Sequence, residues 1–291
     1  MKWSNVLTGY GINCSIRQGY DALARSYKLG DKIYLFGFSR GAYAVRSIAG
    51  MIAKVGLLKS EHVCNALVGK AFRLYENFGG GKRATRFHRR FSHDHVEIEM
   101  IGVWDTVKSL GLPFPVFSHI APMATEFHDH NLSPIIKNAF QALAADENRR
   151  AFAPIPWTCQ PDWHGHLEQA WFAGAHSDVA GHVYALPETR ALSNISLHWM
   201  LERAARCGLA LPAGWQNRFP TDPLAPMQGA YAGTSRFFLF RCPRKFGARS
   251  TDYLHHSLIE RMEKMPRYKP KLTGYPAIHQ TMSSLHEIPS G

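Results

Sequence analysis

The chain has 291 residues, 45% of them hydrophobic, which is enough to build a core of ordinary domain size and excludes a wholly disordered polypeptide. Its 34 Lys and Arg outnumber its 22 Asp and Glu, and the net charge of +12 points toward anionic partners. The densest basic runs, KRATRFHRR from Lys82 and RCPRKFGAR from Arg241, read as solvated loops without the interleaved aromatic residues of a base-stacking surface. No helix-turn-helix or zinc-finger spacing occurs, so no nucleic-acid partner is expected.

In chain order, Ile16, Tyr20, Leu23 and Tyr27 recur at helical spacing until Leu29-Gly30-Asp31 breaks the pattern. Ile33 to Phe36 is an apolar run of strand length, and after it Ala42, Val45, Ile48, Ala49 and Ile52 trace one helix face. VEIEMIGVW, Val96 to Trp104, predicts a second strand ending at Asp105, and QAWFAGA, Gln169 to Ala175, a third ending at His176. Ser196 to Cys207 predicts an amphipathic helix closed by Gly208. Alternating strands and helices imply an α/β fold, a mostly parallel sheet covered on both faces. With no repeat and no linker, residues 1–291 read as a single domain, with a candidate lid or insertion at about 110–165, where LGLPFPVFSHIAPMATEFHDHN is rich in Pro, Phe and Met.

Between the first strand and the second helix stands GFSRG, a G-x-S-x-G motif in the strand-turn-helix setting that gives it meaning. Such a sharp turn strains the serine backbone and leaves no room for side chains two residues to either side, so Gly37 and Gly41 are expected to open that space. The Ser39 hydroxyl is thereby presented at a helix N-terminus, where the backbone amide of Arg40 is placed to serve an oxyanion hole.

A serine hydroxyl needs a histidine base, and the histidine needs a carboxylate to hold its tautomer. In this fold class they follow as Ser, Asp or Glu, then His. Asp105 and His176 satisfy that order and come just past predicted strands. Asp178 is an alternate acid, more at home as a brace for the His176 loop, and His255 an alternate base without a clear preceding strand. The pairs His93 and His95, His128 and His130, His164 and His166, and His255 and His256 are too weak a signal for a metal site, and no metal or organic cofactor is expected. The five cysteines are scattered without a C-x-x-C pair. With no signal peptide and no long apolar run, they imply cytoplasmic synthesis in a reducing compartment and any export by a route that reads no such signal.

GFSRGAYAVRSIAGMI, GVWDTVKSLGLP, WFAGAHSDVAG with the following LSNISLHWM, and LHHSLIERM resemble, in the same order, successive blocks of the α/β-hydrolase domain family typified by type VI secretion phospholipase effectors. The resemblance implies an α/β-hydrolase fold and a lipase-like serine esterase cleaving phospholipid esters through Ser39, Asp105 and His176. It implies a lipid ester substrate at an anionic membrane surface, and a secretion apparatus or an immunity protein as protein partner. Relatives carry one or two strands and an aspartate-glycine-threonine turn upstream of the first helix, so the expected fold is N-terminally shortened. Two other readings stand beside it: a non-catalytic remnant that binds a membrane or a protein through its basic surface, and an esterase for small soluble substrates.

Overall fold

A computed structural model of the chain describes residues 9–78, 81–107, 131–181, 187–247 and 250–275. The chain divides into two units, residues 1–140 with 155–167, and residues 141–154 with 168–291.

The first unit is built from α1 (Gly9–Ser26), β1 (Ile33–Phe38), α2 (Arg40–Val55), α3 (Asn65–Phe78), α4 (Lys82–Phe91), β2 (Ile98–Trp104) and the beginning of β3 (Ile136–Ala144). Its strands run in the order β1-β2-β3. β1 and β2 are parallel, in register from Tyr34 opposite Met100 to Phe38 opposite Trp104. Of the helix face predicted from Ala42, Val45, Ile48, Ala49 and Ile52, all are buried but Val45, which is partly buried against the core, and α2 packs on both strands and on α1. A side chain at Gly19 of α1 would place its Cβ 2.7 Å from Ile48 Cδ1, so the missing side chain lets the two helices approach. Tyr20 is fully buried, and its hydroxyl is satisfied: it donates to Gly56 O at 2.7 Å and accepts from Leu58 N at 3.1 Å. The run KRATRFHRR, expected as a loop, is instead α4; Ala84 and Phe87 are buried, while Lys82, Arg83, Arg86, Arg89 and Arg90 face solvent.

The second unit holds the end of β3, most of β4 (His166–Phe172), α5 (His176–Ala180), α6 (Arg190–Arg206), β5 (Arg244–Lys245), β6 (Asp252–Leu254), α7 (His256–Lys264) and β7 (Leu272–Thr273). Here the order is β3-β4-β6, with β4 and β6 parallel, and β5 pairs with β7 as a separate parallel ribbon. Gly208 ends α6 at φ +89°, where the amides of Gly208 and Leu209 bond the carbonyls of Ala205 and Ala204. The mostly parallel sheet with helices along the chain is the α/β fold expected.

β3 is the strand that the sequence pattern does not announce. It lies within the 110–165 segment read as a lid or insertion, and its residues after Ile136, KNAFQALA, have weak strand propensity. Burial decides its state: Ala139 to Ala144 are all below the surface. Of the Leu110 to Asn131 lid stretch, all but Asn131 lies outside the described residues. No described helix is long and apolar enough to cross a membrane.

Candidate active site

Ser39 stands between the last residue of β1 and the first of α2, at φ 55° and ψ −118°. It is the N-cap residue, yet its side chain does not cap the helix. The sharp turn depends on Gly37: a Cβ there would lie 2.5 Å from Gly41 O and 2.6 Å from Ala42 N, both backbone atoms of the first helical turn. The expectation for Gly41 needs correction. A Cβ at that position meets nothing within 4 Å among the described residues, because it points outward from the exposed first turn. Arg40 is exposed and is the first residue of α2, so its amide lies at the positive end of that helix.

Asp105 follows β2 just as Ser39 follows β1. Phe38 and Trp104 are register partners, and Ser39 N donates to Trp104 O at 3.0 Å, so the two residues leave neighbouring strand ends side by side. Asp105 is fully buried and has φ 44°. Among the described residues, Ser39 and Asp105 are the two non-glycine residues with positive φ. Such conformations cost about 1–3 kcal/mol each and collect at functional sites, where the surroundings impose them.

His176 was expected at the end of a strand through Ala175. β4 ends earlier, at Phe172; Ala173, Gly174 and Ala175 form a turn, and His176 is the first residue of α5. That turn is clamped by carboxylates. The successive amides of Gly174, Ala175 and His176 donate to Asp146 Oδ2 at 2.7 Å, Asp178 Oδ2 at 2.9 Å and Glu147 Oε2 at 3.2 Å. Gly174 has φ +109°, and a Cβ there would stand 2.6 Å from the Asp178 Cβ. The His176 ring is buried with its centroid 4.8 Å from that of Phe152, a ring that also lies under the Arg149 guanidinium at 3.9 Å. Arg149 in turn is paired with Glu147.

Two of the clamping acids differ in charge environment. Burial pushes the Glu147 carboxyl up, but hydrogen bonds and charge from Arg149 outweigh it and hold the group below its usual range. Asp146 is pushed up by burial in spite of its bonds from Tyr268 Oη, Gly174 N and Lys271 N. Asp178 accepts from Gln228 N, Gly229 N and Ala175 N, which makes it the brace that the sequence suggested.

His255 directly follows β6, so a strand does precede it, contrary to expectation; its amide donates to Trp171 O at 3.0 Å. The ring is committed locally. It caps α7, with Nδ1 accepting from Ser257 N and lying 2.8 Å from Ser257 Oγ, and it stacks on Phe172 at 4.5 Å.

The profile of the family described as T6SS, Phospholipase effector Tle1-like, catalytic domain matches residues 1–203. The chain belongs to this family. It is also 29% identical over 163 residues to "Uncharacterized protein YEL023C" of Saccharomyces cerevisiae, a match that covers 52% of this chain and 22% of the yeast protein. Two solved structures are similar. One is an uncharacterized protein from Pseudomonas aeruginosa, at 21% identity and a TM-score of 0.40, covering 72% of this chain and 29% of that one. The other is the Tle1 effector bound to the VgrG spike from the Type 6 secretion system, at 21% identity and a TM-score of 0.33, covering 58% of this chain and 30% of that one. The chain therefore spans less than a third of the length of each of these proteins.

Ser39 and Asp105 come together in the first unit, while His176, Asp178 and His255 belong to the second, His255 lying beyond the residues matched to the Tle1-like domain. Asp146, Glu147 and Arg149 were missed by sequence reasoning. The available signal was the acidic pair Asp146 and Glu147 in AADENRR, followed by two arginines, but without β3 it had no strand end to mark. Among the described residues no group of three or more His, Cys, Asp or Glu is arranged to hold a metal ion.

These arrangements carry two expected results. Burial, then the nearby charges of His256 and Arg203, lower the His255 pKa from 6.5 to about 3. The unfolded chain thus binds a proton that the folded domain refuses, and this contribution to stability, complete above pH 6.5, is lost as pH falls toward 3. Urea unfolding between pH 7 and pH 4 should show up to about 1.4 kcal/mol lost per pH unit from this group. His255→Asn, which keeps a capping acceptor, should flatten the slope by about one proton. Asp178→Asn should destabilise by about 2–3 kcal/mol at neutral pH, because a carboxylate that receives three amides is replaced by a group that turns one acceptor into a donor. Urea midpoints of the two proteins measure it.

Proposed function

We propose that this chain carries the catalytic machinery of a serine-dependent lipid esterase that cleaves carboxylic esters of phospholipids. Membership of a phospholipase effector family supports lipid hydrolysis, and the observation that carries the serine reading is the paired strain at Ser39 and Asp105, on adjacent strand ends.

In the proposed reaction His176 takes the Ser39 hydroxyl proton as Oγ attacks the ester carbonyl, and Asp105 holds the imidazole and stabilises its charged form. The amide of Arg40 donates to the developing oxyanion; one such donor contributes about 10²–10³ in turnover. Collapse breaks the ester C–O bond, and the alcohol leaves with the proton from His176. Water, giving its proton to the same histidine, then attacks the acyl-Ser39 ester, and His176 passes that proton to Ser39 Oγ as the acyl C–O bond breaks and the fatty acid is released. The Asp146, Asp178 and Glu147 clamp supports His176 as the base, since it orders the backbone that carries the ring. His255 is the weaker choice because Nδ1 is already used by α7 and its pKa sits far below neutral. The reading takes the substrate to lie at an anionic membrane surface, and membership of an effector family supports a secretion-apparatus partner.

Intact-mass analysis of purified protein treated with a fluorophosphonate probe tests the chemistry, alongside release of fatty acid from phospholipid vesicles and from short soluble esters. The proposal expects one adduct, absent in Ser39→Ala and in His176→Ala, together with release from vesicles. An adduct with turnover of soluble esters alone moves the substrate to small molecules. A folded protein that takes no adduct is a binding module instead.

A further inference from the structure

Farther along α2 from Ser39, one helix face carries Arg46, Gly50, Ala53 and Lys54, and it lines a cavity of about 260 Å³ within the first unit. That volume is close to the lower end of the roughly 300–1,000 Å³ typical of small-molecule sites. Its residues are chemically one-sided. Among the described residues two cations line it, and no Asp or Glu does. Each cation rests on an aromatic ring: the Arg46 guanidinium lies 4.6 Å from the Trp157 centroid, and Lys54 Nζ lies 5.5 Å from that of Tyr75.

Arg46 is held in place without being neutralised. Nη1 donates to Ile155 O at 2.6 Å, whereas Nη2 is buried and has no hydrogen-bond partner among the described residues. No described carboxylate pairs with Arg46 or with Lys54. Burial draws the guanidinium down to about 9, which leaves it charged at neutral pH. A buried donor with no acceptor is rare, and a buried charge is ordinarily paired. The helix face between the cations is kept low: a Cβ at Gly50 would already lie 3.3 Å from the Tyr75 ring. The remaining wall includes Ile101, Leu132 and the Trp157 face, which suits an apolar group.

We infer that this cavity is a binding site for a small organic anion, with a carboxylate head on Arg46 Nη2 and Lys54 and a short apolar tail over Trp157 and along Ala53. The site is independent of the esterase reading, since occupancy requires no turnover.

Isothermal titration calorimetry of the full chain with sodium hexanoate, and separately with inorganic phosphate, tests it. Hexanoate should bind saturably, at least about tenfold more tightly than phosphate, because phosphate satisfies the cations but leaves the apolar wall wet. Arg46→Gln and Lys54→Gln should each weaken hexanoate by about tenfold, and Ala53→Phe, which fills the cavity from α2, should abolish it. Ser39→Ala should bind hexanoate as the parent does, so failure of the esterase reading and failure of this one are distinguishable. Absence of saturable binding, phosphate as tight as hexanoate, or hexanoate binding unchanged in Lys54→Gln and Ala53→Phe overturns the inference. Those two variants decide the matter even where Arg46→Gln fails to fold, as judged by circular dichroism.

Discussion

Ser39→Ala should lower phospholipid turnover by about 10⁴-fold or more while leaving the unfolding midpoint nearly unchanged. The argument rests on separating backbone from side chain. The strained φ of 55° is imposed by β1, by α2 and by the bond from Ser39 N to Trp104 O, none of which needs the hydroxyl. The side chain does not cap α2 either, so its loss takes no cap bond from the helix. Alanine carries the same Cβ into the same conformation, and the loss is chemical. Ser39→Gly should be equally inactive but more stable by about 1 kcal/mol, because glycine relieves the backbone strain. If Ser39→Ala and parent release fatty acid at the same rate, the serine mechanism is wrong.

The second large effect is at Gly37. Gly37→Ala places a Cβ 2.5 Å from Gly41 O and 2.6 Å from Ala42 N, and neither atom can swing aside as a side chain would. The first turn of α2 must move, at a cost of about 3 kcal/mol, and fluorophosphonate labelling of Ser39 should slow by about 100-fold or more because the nucleophile moves with it. Gly41→Ala is the matched control. Its Cβ enters open space, so stability should change by less than about 0.5 kcal/mol. Urea unfolding together with labelling rates of the three proteins measures both effects. Equal stability of Gly37→Ala and Gly41→Ala would mean that the turn is looser than described.

This contrast also shows where sequence reading succeeds. GFSRG is legible because the sterics of a strand-turn-helix elbow are local, and the helix after it advertises a buried face at 3.6-residue spacing. Even so, the motif does not say which glycine is sterically required; that depends on where the helix turns, and the structure assigns the need to Gly37 alone. β2 is legible for a similar reason, a run of apolar residues ending at Asp105. β3 is not, since Lys137, Asn138, Gln141 and its alanines become a strand only through burial beside neighbours distant in sequence. The support of His176 is hidden for the same reason. Asp146 and Glu147 bind amides nearly thirty residues away, and a backbone amide leaves no mark in a sequence.

That support has a bearing on transplantation. The WFAGAHSDVA segment looks portable, a compact block with its histidine in the middle, yet it contains one of its three anchors, Asp178. The other two arrive from the turn after β3, and one of those is itself steadied by Tyr268 near the far end of the described chain. A graft of the block into another scaffold would carry the imidazole but not its aim. The smallest transferable piece is a set of three chain segments, Asp146 to Arg149, Gly174 to Asp178 and the residues around Tyr268, moved together.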